Sequence, residues 1–281
     1  MAGRDGNIQL HTASQLFDKN VSRSDAMGLA RSTLLPSLGV HGGLSLIAYG
    51  VARASNRVEL KDYLWPTGMA LNAWWVAIGR HMVSHPHISI GQAWSRLSYH
   101  QIALLGAATA WSGRLTYRII SRSLRRGTDD PRYKDVKTEP GFWNKAPFAI
   151  FLSEAVFQAL ITLPLVMPLS DDRISGLYGA SSDWATWFRL GAAGIFASGL
   201  TMETLADKEI EKHKRQTEER GKSKILRSGV WSIVRHPNYL GDALCHLAFP
   251  LWNFGSGLFS PWQMLGPIAN YLFLRGIGGD K

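Results

Sequence analysis

The sequence predicts an all-α fold, a polytopic transmembrane helical bundle of about seven spans, on three observations. Seven apolar, weakly charged runs recur along 281 residues, seven of the eleven tryptophans (Trp65, Trp74, Trp75, Trp94, Trp184, Trp187 and Trp262) fall near the ends of those runs, and the basic residues concentrate in the loops between them. About 20 apolar residues suffice to cross a bilayer core, and tryptophan is enriched where hydrocarbon meets water. The mean hydropathy of −0.06 is low for such a protein, because a polar N-terminal tail and two long loops offset the apolar runs. The competing reading of the runs is the buried core of a water-soluble helical protein.

The runs are Ser32 to Ala52, Leu64 to Val83, Tyr99 to Ile120, Ala146 to Leu169, Trp184 to Ala206, Leu240 to Asn253 and Leu258 to Leu274. Residues 1–31 form a polar tail expected to be loosely ordered. The tail carries the glycosylation sequon Asn20-Val21-Ser22 and no pattern of a cleavable signal peptide. The glycines of the first run suit close helix packing. The second run ends in Arg80-His81-Met82-Val83-Ser84-His85, where His81 and His85 would share a helix face as a metal pair; no second histidine box supports this, and a polar span end is the simpler reading.

The third run carries Arg114 and Arg118, four residues apart on one face; charge inside a span is costly. For Arg118 a functional role and snorkelling to lipid headgroups weigh equally. The loop after it holds Asp129, Asp130, Arg132 and Tyr133, a solvated turn by its composition. Glu154 and Gln158 share a face of the fourth run, which Pro164 and Pro168 should kink or end. In the fifth run Glu203 and Asp207 are one turn apart, placed either to hold a ribose hydroxyl or to pair with neighbouring arginines and lysines. Lys208 to Lys224 reads as a solvated, charged linker helix. The sixth run is the weakest, short and interrupted by Pro250, and the last two form a hairpin around Gly255-Ser256-Gly257.

The net charge of +10 sits in 118–145 and 208–235, while 170–183 holds Asp171, Asp172 and Asp183 against Arg173. That asymmetry puts the first two segments in the cytosol and argues against nucleic acid, which requires a basic face interleaved with aromatics. Cys245 is the only cysteine, so no intramolecular disulfide or multi-cysteine metal site is possible.

The densest chemistry lies in Ser228 to Asp242, S-G-V-W-S-I-V-R-H-P-N-Y-L-G-D, which brings together Arg235, His236, Asn238, Tyr239 and Asp242. A guanidinium fork, two groups that donate and accept, and a stacking ring with a hydroxyl suit an anionic, aromatic cofactor. R-H-P-N-Y-L-G-D, with M-E-T-L-A-D-K at 202–208 and W-S-G-R-L-T-Y-R followed by D-D-P-R-Y over 111–133, resembles the signature of the sterol reductases and the steroid 5α-reductase-like integral membrane family. The resemblance covers 111–242 and rests on three motifs in order.

The resemblance implies a membrane-embedded, NADPH-dependent reductase of an activated carbon–carbon double bond in a lipid or sterol. Its setting would be the endoplasmic reticulum membrane, with the cofactor side facing the cytosol. It implies cofactor contacts at Asp207, Arg235, His236, Asn238 and Tyr239, with Arg114, Arg132 and Glu203 in the accompanying motifs as further candidates and Asp242 near the substrate. Tyr239 is the candidate acid. In that family a cytosolic tail after the last span helps close the cofactor site, so a chain ending at Lys281 is expected to hold its cofactor weakly. The Gly-x-Gly-Gly at 276–279 lacks the strand–helix setting of a Rossmann turn. A second reading, from the R-H-P-x-Y element, is an S-adenosylmethionine-dependent methyltransferase resembling the isoprenylcysteine carboxyl methyltransferases, against which the E-x-x-A-D-K element stands. A third is a non-enzymatic membrane scaffold. Partners beyond the bilayer and an apolar substrate leave no mark in the sequence.

Overall fold

A computed structural model describes residue 28 and residues 30–170, 182–220 and 225–276. Most of the polar tail with its sequon, the acidic loop 171–181 and the glycines at 278–279 lie outside the described residues. The fold is all-α, and the described residues contain no strand. Its principal helices are α1 (Leu35–Ser55), α2 (Leu60–Trp74), α3 (Tyr99–Arg126), α4 (Phe142–Ile161), α5 (Leu163–Ser170), α6 (Ser182–Arg220), α7 (Pro237–Gly255) and α8 (Leu265–Leu274).

Local sequence sets their ends. α1 stops where Asn56 turns left-handed (φ 55°), and its backbone N–H returns to Arg53 O. A capping box opens α3: Ser98 Oγ accepts from Gln101 N at 3.3 Å, and Gln101 Oε1 accepts from Ser98 N at 2.8 Å. Gly127 (φ 70°) closes that helix. α4 and α5 meet at Thr162 with a 60° bend, as the prolines predict. Pro250, by contrast, does not interrupt α7, which runs 19 residues with that proline buried inside it. Packing along α6 is the most extensive in the fold and holds the helix through the lost hydrogen bond. The fifth run and the charged linker after it are one 39-residue helix, α6, about 58 Å long.

Among the described residues one helix, Ala30–Ser55, is by itself long and apolar enough to cross a membrane, and the bent pair α4–α5 qualifies if taken as one span. The other runs fall on helices that are short, such as α2 (15 residues) and α8 (10 residues), or diluted by polar and charged residues. The lateral distribution in α1 is inverted relative to a helix in water. It buries Ser37, His41 and Ser45 and exposes Leu46, Ile47 and Val51, with Ile47 67% exposed. Inside, His41 Nδ1 lies 3.1 Å from Gln158 Oε1 and its Nε2 3.2 Å from Thr162 Oγ1, so polar groups tie α1 to the α4–α5 bend.

Candidate functional site

The site grows from two i,i+4 pairs that face one another. Arg114 and Arg118 on α3 meet Glu203 and Asp207 on α6. Arg114 Nη2 pairs with Glu203 and Arg114 Nη1 with Asp207 Oδ2 at 2.7 Å, while Arg118 Nε reaches the same Oδ2 at 2.7 Å. Glu203 is 3% exposed and Asp207 6%. Ion pairing, one of the two roles open to these acids, is present in the structure, and Arg118 is a partner of Asp207. Buried carboxylates persist when such partners satisfy them.

α7 approaches α6 at two glycines. A Cβ on Gly241 would lie 2.6 Å from Gly199 O and 2.9 Å from Glu203 Cβ, and one on Gly199 would lie 2.6 Å from Gly241 O, so only glycine permits this contact. The next residue, Asp242, is thereby delivered to the interior, 5% exposed. Its Oδ1 accepts from Trp111 Nε1 at 3.1 Å and its Oδ2 from Asn270 Nδ2 at 2.9 Å. His246 Nε2 stands 3.9 Å from Oδ1, and the imidazole meets the Trp111 ring edge to face at 4.8 Å.

The segment before α7 is pinned to α6 from outside. Gly229 (φ 59°) lies over Glu209, whose carboxylate leaves no room for a Cβ and accepts from Val230 N at 3.1 Å. Trp231 Nε1 donates to Ala206 O at 3.0 Å. These contacts carry the chain to His236, whose ring stacks on Tyr239 at 5.2 Å with 28° between planes. His236 Nε2 and Asn238 Oδ1 are buried without hydrogen-bond partners, as is Glu203 Oε2. Beside His236 opens a cavity of about 1120 Å³ lined by His213, Lys214, Arg227, Trp231, Arg235 and His236, among others. Exposed Arg235, two further cations, an indole and two imidazoles are side chains of the kinds that hold phosphates and flat rings.

Arg132 is not brought to this cavity. Its backbone N–H and Nε both donate to Asp130 Oδ1, at 3.0 and 3.1 Å, and its Nη2 to Asp62 Oδ2 at 2.9 Å. Tyr133 donates to Asp62 Oδ1 at 2.9 Å. Asp129 accepts from Val58 N and Glu59 N, each at 3.0 Å, and from Lys137. The expected solvated turn is therefore a latch tying the end of α3 to the α1–α2 loop. Burial opposes ionisation of Asp130, but the Arg132 hydrogen bonds prevail and hold its carboxyl down to about 2. Burial, then the Asp62 carboxylate, pushes the Tyr133 phenol above its usual range, so it remains a donor.

His81 and His85 do not share a helix face, because the helix ends at Ser84 and His85 turns away (φ −135°). Among the described residues no group of three or more metal-binding side chains occurs.

A family model described as "Protein of unknown function (DUF1295)" matches residues 48–280. The chain belongs to the DUF1295 family. No curated protein and no solved structure matches it. The DUF1295 match covers every candidate site residue as well as Trp111, Asn270, His246 and Glu209, whose roles sequence reasoning missed. Trp111 stood within a motif already recognised; Asn270 and His246 carry no local signal, since only tertiary contact brings them to Asp242.

Proposed function

We propose that the chain is a membrane-embedded, NADPH-dependent reductase of an activated carbon–carbon double bond in a lipid or sterol. The observation that carries this reading is a juxtaposition along one segment: the cation-lined cavity reaches His236, the His236 ring stacks on Tyr239, and three residues further on is a carboxylate, Asp242, held in the interior by Trp111 and Asn270. Lys214, Arg227 and Arg235 suit the cofactor's phosphates, and Trp231 and the His236–Tyr239 pair suit its rings. His236 Nε2 and Asn238 Oδ1 are buried without protein partners, and each could bond the cofactor once its side chain turns toward the cavity that His236 lines. NADPH, when bound, supplies a hydride. The Tyr239 hydroxyl is the group to deliver a proton to the second carbon, and Asp242 is placed to orient or relay it. Arg114, Glu203 and Asp207 form the wall that keeps α3 and α6 in register behind the site.

The inverted α1 supports the membrane setting, since a helix that turns its large apolar residues outward and its hydroxyls inward is stable only in an apolar surround. The seven apolar runs and the charge asymmetry favour seven spans in the endoplasmic reticulum membrane, with a lumenal N-terminus and 118–145 and 208–235 in the cytosol. Glycosylation of Asn20 or of a sequon placed in 171–183 reports this orientation.

Titrating the purified protein in detergent with NADPH and with S-adenosylmethionine, and reading tryptophan fluorescence, tests the function. Saturable quenching by NADPH alone is expected. A response only to S-adenosylmethionine would replace the reductase by a methyltransferase, and silence to both would leave a scaffold.

A further inference from the structure

α6 has a second working face. The residues that line the NADPH cavity, Ile210, His213, Lys214 and Thr217, lie about half a turn around the helix from Lys208, Lys212 and Arg215. The latter three, with the end of α3, line a separate groove of about 970 Å³. All three are exposed. Arg215 has one ion pair, to Glu211 at 2.9 Å, which Arg125 also contacts, while Lys208 and Lys212 form no salt bridge among the described residues. Two like charges four residues apart disfavour the helix that carries them unless an anion lies between. On the opposite wall Tyr117 and Leu124 are 76% and 70% exposed, two large apolar groups left uncovered beside the cations.

Asp207, Glu211 and Glu219 also line the groove, but arginines already pair with the first two, and the lysines and arginines outnumber the carboxylates. A net cationic wall beside exposed apolar side chains is the complement of a molecule whose anionic head is joined to a hydrocarbon body. We propose that this groove binds an anionic glycerophospholipid of the cytosolic leaflet, its phosphate between Lys208, Lys212 and Arg215 and the apolar part next to the headgroup against Tyr117 and Leu124. The proposal rests on the membrane reading above and is independent of the reductase reading. It gives a role to a stretch whose composition reads as a solvated linker.

Each basic side chain near an anionic membrane surface is worth about a fivefold preference. The full chain, reconstituted in vesicles of equal phosphatidylglycerol and phosphatidylcholine and then extracted, is expected to retain the anionic lipid over the zwitterionic one by roughly tenfold or more in native mass spectrometry. The K208Q/K212Q/R215Q variant should lose that preference while melting, in phosphatidylcholine alone, at the wild-type temperature. Equal retention of both lipids by a wild-type chain that resists alkaline extraction overturns the proposal alone. Release by alkaline carbonate from every vesicle overturns the membrane reading and the proposal with it. Loss of the lipid on adding millimolar inorganic phosphate would assign the groove to a soluble anion instead.

Discussion

Trp111 and Asp242, 131 positions apart in the sequence, are joined by a 3.1 Å hydrogen bond in the protein interior. The bond links two of the three motifs by which the chain was read. An indole and the Asn270 amide hold Asp242 in place.

Asp242→Asn should be tolerated by the fold. The new amide offers one oxygen and one NH₂, and Asn270 Oδ1, which has no partner, can accept from the latter once the Asn270 amide turns over. A loss of about 1–2 kcal/mol is expected, against about 3 kcal/mol or more for Asp242→Ala, which strands two buried donors. If Asp242 handles a proton, Asp242→Asn abolishes turnover at unchanged NADPH affinity; turnover retained per folded molecule removes Asp242 from the chemistry. Melting temperature, cofactor affinity and turnover on the one variant decide.

Arg114→Ala leaves Glu203 and part of Asp207 buried without their principal cation, and a loss of about 3–5 kcal/mol is expected. Arg114→Lys should recover only part of it, since one ammonium cannot span the two carboxylates as the guanidinium fork does. Denaturation in detergent compares the two variants, and equal stability would show that the ladder's geometry is unimportant.

Arg235→Ala should weaken NADPH roughly ten- to a hundredfold, the worth of one charged hydrogen bond to phosphate, and leave the melting temperature alone because the residue is exposed. Unchanged affinity in a direct titration would take Arg235 out of the cofactor site.

Asp130 gives the latch a pH dependence of definite sign. Its folded value, about 2, lies below the ordinary 3.8, so its contribution is complete above the ordinary value and lost as pH falls from there through about 2. Asp130→Asn should be less stable than the wild type at neutral pH, with the difference shrinking below pH 4. A constant difference across that range would show that Asp130 is not ionised in the latch.

What the sequence made legible is what periodicity fixes. The four-residue spacing of Arg114 with Arg118, and of Glu203 with Asp207, foretold shared faces, and the faces do meet. Pro164 and Pro168 foretold the bend at Thr162. Pro250 misled, because the same residue that ends an isolated helix is carried through when a neighbour packs along it. Arg132 misled in another way: a motif places a residue near a site only in sequence, and the hydrogen bonds of Asp130 and Asp62 turn this one elsewhere. Asp242's partners were invisible because Asn270 and His246 look like ordinary polar residues in apolar runs until the helices are assembled around them.

The uninterrupted course of α6 has a mechanical consequence. On the proposed membrane reading, in which the fifth run lies in hydrocarbon, a rod of about 58 Å has no joint at the membrane surface, so its tilt would be transmitted undiminished to its outer end. Tilt is what a helix adjusts when the bilayer thickens or thins. On that reading the height at which His213 and Lys214 present the cation-lined cavity would be set by lipid length as well as by the protein, and a thinner bilayer would lay both faces of the rod closer to the headgroups.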